Sequence, residues 1–353
     1  MKLKSSFSVA VALSSVVTVV IILCAKETVP DMIGLRKTTD FFPSSQFFAY
    51  LSKFHDSTTR RGVLTRKPFI YLTETEQCLP KNLSSSSQIG DPETCNCDVI
   101  VLSFRAKCQD NNQSHITYLF DPNTLFASGR NVLFFAALDR RPGYHYYIFM
   151  NDDTYLEYNE FTPANMTKIS PFRAVEEWLL DYEPAVGVLD YKASQGANAV
   201  IKSRRELCGI KESSLVLPTV VFDGLFNAFH YKAVEHVLPY PTQYERGCIY
   251  CCNRNTMMAV EVKFGGQALL FSPVTAGNPK HREYDRSVNN ILSKLRKFVA
   301  RIQQDAPPTL RNHVIFKMLR TSPITSLTSS RSFCVNVTRH QPIIPYRHLL
   351  NDF

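Results

Sequence analysis

Asn151, Asp152 and Asp153 follow directly on Tyr146-Tyr-Ile-Phe-Met150, five apolar or aromatic residues in succession. A short apolar run of this kind reads as a buried strand. The chain therefore leaves the core where the carboxylates begin, and open α/β sheets bind ligands at the carboxyl ends of their strands. Neighbouring residues on an extended chain point to opposite faces. One carboxylate can then take a metal ion while the other meets ligand or backbone. Hard oxygen donors suit Mg²⁺ or Mn²⁺, which combine one or two carboxylates with substrate phosphates. The plain alternative is a turn, for which Asn-Asp-Asp is equally good chemistry.

The elements around this motif alternate. Asp98–Phe104 is a strand rich in β-branched residues, and Ile116–Phe120 is a second, ended by Asp121-Pro122. Ser128–Leu138 reads as a helix with Ser128 as N-cap and Val132, Leu133, Ala136 and Ala137 on one face. Arg141-Pro142-Gly143 stops it. After the Tyr146–Met150 strand, Pro171 starts a helix through Tyr182 with Val175, Trp178 and Leu179 inward; Pro184 ends it before a strand at Ala185–Leu189. Alternation of this kind calls for a mixed, mainly parallel sheet flanked by helices. Later, Thr219–Phe222 and Ala268–Phe271 read as strands and Phe229–Val237 as a helix. Arg286–Gln304 is an amphipathic helix whose stripe is Val288, Ile291, Leu292, Leu295, Val299 and Ile302. The expected organisation is a stem over 26–65, a catalytic domain over 66–285, and a basic helix and tail over 286–353 packed on that domain.

With those elements in place, the sequence resembles metal-dependent glycosyltransferases of the A-type, Rossmann-like fold, which use nucleotide-sugar donors. They carry an Asp-x-Asp motif after a hydrophobic strand. Tyr147–Leu156 is similar to the fringe-like and core-1 galactosyltransferase form, in which three Asp precede Thr-Tyr or Thr-Phe; Asn151 stands here in place of the first. Gly129-Arg130-Asn131 resembles the Ala-Arg-Asn helix that precedes that strand in the family, and Phe172–Val188 resembles its post-motif helix. The likeness covers about residues 98–190 and fades beyond. It implies Mn²⁺ or Mg²⁺ on Asp153, assisted by Asn151 and His281. It implies a donor nucleotide diphosphate near Arg130, Asn131 and Asp152, with Lys280 or Arg282 on the diphosphate. Asp223, before Gly224, becomes the general base if the enzyme inverts. The acceptor would be a hydroxyl on a glycan, protein or lipid. A non-catalytic relative that keeps the fold as a binding protein is the alternative, supported by Asn151.

The amino-terminal sequence speaks to compartment. Lys2 and Lys4 precede Phe7–Ala25, nineteen residues without a charge, and about 20 apolar residues span a bilayer as a helix. A signal anchor would leave the lysines cytoplasmic and the rest lumenal, in the Golgi or endoplasmic reticulum, as a single-pass type II protein. A cleaved signal and secretion is the rival. Sequons at Asn82, Asn112, Asn165 and Asn336 agree with either. Nine cysteines lie beyond Cys24. In an oxidising lumen they read as disulfides, four pairs with one thiol left over that is free or links two copies; the connectivity stays open. Cys248-Ile-Tyr-Cys251-Cys252 invites a zinc reading, but no second pair stands at the spacing such sites repeat. The net charge of +9 belongs to residues 280–353, where 13 Lys/Arg face 4 Asp/Glu. A solvated basic face accounts for it, and the compartment argues against nucleic acid as partner.

Overall fold

The computed structural model describes residues 67–109, 113–140, 144–192, 202–203, 205–211, 214–219, 222–279, 291–321, 334 and 337–350. Among them nine strands form one sheet: β1 (Phe69–Thr75), β2 (Cys97–Ser103), β3 (Ile116–Phe120), β4 (Tyr146–Asn151), β5 (Tyr155–Tyr158), β6 (Val186–Tyr191), β7 (Val216–Pro218), β8 (Phe226–His230) and β9 (Ala268–Gly277). The order across the sheet is β3-β2-β1-β4-β8-β6-β9-β5, with β7 also on β9. β1 to β4 run parallel; β8 is inserted antiparallel between β4 and β6; β9 is parallel to β6. The sheet is thus mixed, as the alternation of elements leads one to expect, with four pairings parallel and four antiparallel. β5 and β7 both pair antiparallel to β9 but on separate halves, β7 with Leu269–Phe271 and β5 with Val274–Gly277. Pro273, which has no N–H to give, stands between the two pairings.

The helices cover both faces. They are α1 (Phe126–Arg140), α2 (Pro171–Tyr182), α3 (Tyr231–Val237), α4 (Ile249–Lys263), α5 (Ile291–Asp305) and α6 (Val314–Thr321). α2 begins on a Ser170 cap whose hydroxyl accepts the Arg173 N–H, with Pro171 in the first turn where a missing donor costs nothing. It seals one face: Trp178 stacks on Phe271 with centroids 4.9 Å apart, and Phe172 meets Tyr71 edge-on. Gly187 permits the close approach, since a Cβ there would fall 2.4 Å from Leu179 Cδ2. On the opposite face α1 packs over β1 and β2, with α4 behind it and α5 behind α4. Leu295, Val299 and Ile302 of α5 are buried, the stripe expected of it; the expected start at Arg286 lies outside the described residues.

Three local expectations differ. α1 begins at Phe126, so Ser128 is inside it and its hydroxyl turns to Leu125 and Glu245 instead of capping. Phe229 belongs to β8, and the helix after it starts only at Tyr231, capped by His230 Nδ1 on the Lys232 N–H. The strand expected at Thr219–Phe222 lies a few residues earlier, as β7. β1 and α4 carry no expectation from sequence. α4 is buried on nearly all sides, so it lacks the one-sided stripe that announces a surface helix.

Disulfides join Cys78 to Cys108, Cys95 to Cys97, Cys208 to Cys334 and Cys248 to Cys251. Cys252 is the thiol left over, and it is buried, with burial pushing its pKa to about 12. Enclosed in the core, it cannot reach a second chain, which removes it as the link of a disulfide-joined homodimer. Phe7–Ala25 lies outside the described residues; among those described no helix is long and apolar enough to cross a membrane.

Candidate functional site

The end of β4 is a turn, and the turn is what presents the acids. The Thr154 N–H returns to the Asn151 carbonyl at 3.2 Å, so Asp152 and Asp153 occupy the tip. Both are half-buried, whereas Thr154 is fully buried and pins the turn from below. The turn and ligand-site readings of this motif are therefore compatible: the turn carries two carboxylates out of the core side by side. Asn151 is directed elsewhere. Its Oδ1, expected on a metal, accepts from Arg130 Nη2 at 3.1 Å.

Arg130 is the hub beneath the turn. It is 2% exposed, at the second turn of α1, and each end of its guanidinium is used. Nη2 also donates to the Gly224 carbonyl at 2.8 Å, and Nη1 to the Tyr240 hydroxyl at 3.1 Å. The ring of Phe126 lies 4.3 Å beneath its carbon, with Tyr240 and Phe149 at 5.5 and 5.8 Å. A buried cation held by carbonyl, amide and aromatic faces ties α1, β4 and β8 together. Asn131 does parallel work: its amide donates to the Tyr240 carbonyl at 2.8 Å and accepts the Tyr240 N–H at 2.7 Å. That clamps the segment bearing Tyr240 and leaves Asn131 a wall of the site, 2% exposed.

Carboxylates outnumber this cation. Glu74, at the end of β1, is the register partner of Asn151, so both point toward α1. Only a glycine at 129 lets it in: a Cβ there would sit 1.7 Å from Glu74 Oε1. Burial raises the Glu74 pKa to about 8; Arg130 works against the shift, while Glu245 and Asp152 add to it. Glu245 is 8% exposed and accepts from the Ser128 N–H at 2.7 Å. Glu74 and Glu245 were not legible as site residues, because their neighbourhood forms only through β1 and the loop before α4. An excess of carboxylates at the edge of a half-buried turn is a donor set that fits a hard divalent cation, and Asp152 and Asp153 are its outward members.

The Asp223–Leu225 turn borders the same edge. The Asn151 N–H donates to the Leu225 carbonyl at 3.2 Å, joining it to the end of β4. Asp223 is exposed, with Oδ1 accepting the Leu225 N–H at 2.8 Å. Asn253 of α4 lies against Gly224, where a Cβ would come within 2.7 Å of its amide nitrogen. On the far side of β8, Asp190 near the end of β6 is a further carboxyl that sequence reasoning missed. Burial raises its pKa, and its Oδ1 is buried without a hydrogen-bond partner. The structure thus brings Arg130, Asn131, Asn151, Asp152, Asp153 and Asp223 to one end of the sheet. Lys280, His281 and Arg282 lie outside the described residues.

No family model matches this chain, and no curated protein does. Among solved structures it is similar to residues 1–349 of S. aureus TarS in complex with UDP, at 10% identity over 76% of this chain and 75% of that one, with a TM-score of 0.39. It is also similar to the galactosyltransferase LgtC in complex with donor and acceptor sugar analogues, at 9% identity over 69% of this chain and 99% of that one, with a TM-score of 0.32. Likeness at these scores carries no weight for chemistry, and the function must be read from the residues themselves.

Proposed function

We propose that this protein is a metal-dependent glycosyltransferase, moving a sugar from a nucleotide diphosphate sugar to a hydroxyl of a glycan, protein or lipid. What supports this most is the convergence just described. Two outward carboxylates on the β4–β5 turn, a buried arginine beneath them and a third carboxylate on the Asp223 turn meet at the carboxyl end of the sheet's parallel strands.

In this assignment Asp153 and Asp152 hold Mn²⁺ or Mg²⁺. Bound there, the ion supplies Lewis-acid neutralisation of the leaving diphosphate. Arg130 fixes the turn through Asn151 and the Asp223 loop through Gly224, so the donor and acceptor sides keep one spacing. Asn131 holds the Tyr240 wall. Asp223 accepts the proton of the acceptor hydroxyl if the reaction inverts, with Asp190 as its rival. His281, Lys280 and Arg282 remain proposed for the metal and diphosphate.

The compartment proposed is the lumen of the Golgi or endoplasmic reticulum, with Phe7–Ala25 as a type II anchor, or the exterior after cleavage. The exposure of sequon residues Asn82 and Asn165 suits glycosylation there. Loss of residues 1–25 from the mature chain, or no mass shift on deglycosylation, decides against anchor or glycans respectively.

The test is to assay the full chain against a panel of nucleotide sugars with Mn²⁺, for hydrolysis and for transfer. Turnover that disappears in Asp153→Ala supports the proposal. The second reading, a non-catalytic binding protein, takes its support from Asn151, and it gains if uridine and guanosine diphosphates with Mn²⁺ fail to raise the melting temperature, since a ligand that binds the native state stabilises it by mass action.

A further inference from the structure

The other end of β4 carries a different set of groups. His145 immediately precedes the strand, and His230 closes β8 opposite Tyr146. Glu183 caps α2 in the left-handed region, at φ 47°, a conformation a glutamate adopts only where its surroundings hold it. One ligand atom from each of the three lies within 4.8 Å of the others. His145 Nε2 stands 3.0 Å from Glu183 Oε1, and His340 Nδ1 stands 3.6 Å from Glu183 Oε2. The His145 and His230 rings meet edge to face, centroids 4.9 Å apart.

The backbone beneath these side chains is fixed. His145 donates to the Pro68 carbonyl at 2.7 Å and its own carbonyl takes the Tyr231 N–H at 3.0 Å; His230 donates to Ala185 at 3.1 Å and Glu183 to Leu179 at 3.0 Å. The carboxyl end of α2 adds a partial negative charge beside Glu183.

We propose that His145, Glu183 and His230 form a binding site for a borderline-soft divalent transition ion, zinc above all, with water at the fourth position. Imidazole nitrogens with a single carboxylate are zinc chemistry, not magnesium chemistry. Ligands about 2.0–2.1 Å from a tetrahedral ion lie roughly 3.3 Å from each other, close to the 3.0 Å between His145 Nε2 and Glu183 Oε1. His230 Nδ1 accepts the Lys232 N–H at 3.2 Å, which holds the ring at the start of the following helix. The site joins β4, β8 and the end of α2. Six residues of strand separate it from the Asn151 turn, about 20 Å at the rise of a β-strand, so it is independent of the donor site.

The test titrates zinc by calorimetry into full chain prepared without a polyhistidine tag and stripped with EDTA, with thermal melts alongside. The expected result is one zinc per chain, a melting temperature that rises with zinc and falls again with chelator, and much weaker binding of Mn²⁺ at this site. His145→Gln, Glu183→Gln and His230→Asn should each weaken zinc at least about tenfold, as lost support of a metal ligand does; Asn keeps the helix cap of residue 230. The doubly substituted Asp152→Asn, Asp153→Asn chain should bind zinc as before. No zinc binding by the unmodified chain overturns the proposal, whatever the variants' stability. Zinc binding that survives His145→Gln and His230→Asn but is lost with the two aspartates overturns it as well.

Discussion

β4 ends in two clusters of opposite character. Its carboxyl end presents Asp152 and Asp153 over the buried Arg130, with Glu74 and Glu245 crowded close; its amino end presents His145 beside His230 and Glu183. Both are built the same way, from strand termini fixed by backbone hydrogen bonds and a helix end. They differ in donor type. The oxygen donors described at one end favour a hard cation with an anionic ligand, and imidazole with one carboxylate at the other favours a borderline-soft cation held by protein side chains. The scaffold sets where groups converge, and side-chain identity sets which chemistry the place can do.

The sharpest way to break this comparison is Asp153→Ala. The carboxylate is half-buried at a turn tip, so its loss should leave the melting temperature within about 2 °C, as surface changes usually do. Donor turnover should fall by on the order of 100-fold or more, since one lost electrostatic contact to the reacting charge costs that much in other enzymes. Zinc binding at His145 should not move. Unchanged turnover with Mn²⁺ present would remove Asp153 from the donor site; joint loss of turnover and zinc would mean that the two ends are one cooperative unit.

Arg130→Met comes next, and its effect falls on the fold. It strands the Gly224 carbonyl, the Asn151 amide oxygen and the Tyr240 hydroxyl, all three bonded to the guanidinium, and leaves Glu74 without its cation. Unpaired buried acceptors cost about 1–3 kcal/mol each, with partial relief where water enters, so a loss of about 3 kcal/mol is expected in chemical denaturation. Arg130→Lys should recover only part of it, because an ammonium cannot reproduce the planar fork. A loss below about 1 kcal/mol would show that the hub does not hold the acidic end together.

Much of this architecture was legible because it is local. Strands β2, β3 and β4 and helix α2 announce themselves through apolar runs, the Pro171 start and the Pro184 stop. The aspartates at the end of β4 were legible for the same reason. Arg130, noted as a residue at a helix start, turns out to be buried, which no local pattern states. Glu74 was invisible: β1 pairs with β2 and β4 across long separations, and the carboxyl finds its place only because residue 129 lacks a side chain. The imidazole cluster was equally hidden, since His145, Glu183 and His230 lie far apart in sequence and meet only through the antiparallel insertion of β8.

Glu74→Gln tests the crowding at the acidic end. The native carboxyl holds its proton to about pH 8, whereas an unfolded glutamate releases it near 4.3. The native state therefore binds more protons between those values, and stability attributable to Glu74 falls as pH rises through that window. Glutamine has no proton to lose. The variant should gain on the parent between pH 5 and pH 8.5, by on the order of 4 kcal/mol, from a native pKa of about 8 that already includes the pull of Arg130. The comparison of two pH values cancels the other buried acids, Glu176 and Glu261, which both chains share. A stability gap that is flat with pH would place the Glu74 carboxyl in water.

The smallest effect is expected of Asn151→Asp, which restores the acid found in the resembled family. If residue 151 faced the metal, the new charge would tighten Mn²⁺ several-fold. The structure turns this side chain to Arg130 Nη2 at 3.1 Å instead, so the substitution should convert a hydrogen bond from a guanidinium to a neutral amide into an ion pair. That favours the fold by on the order of 1 kcal/mol. Crowding opposes it: Glu74 is the register neighbour of residue 151 and is already raised by Asp152, so another carboxylate drives Glu74 further toward its protonated form. The net change in melting temperature should be small, within about 4 °C for a shift near 1 kcal/mol. Mn²⁺ affinity, measured with uridine diphosphate present, should stay within about threefold of the parent, well under the tenfold that corresponds to about 1.4 kcal/mol. A tenfold tightening would show that residue 151 swings from the arginine to the metal, and would make Arg130 a gate on the donor site instead of its fixed support.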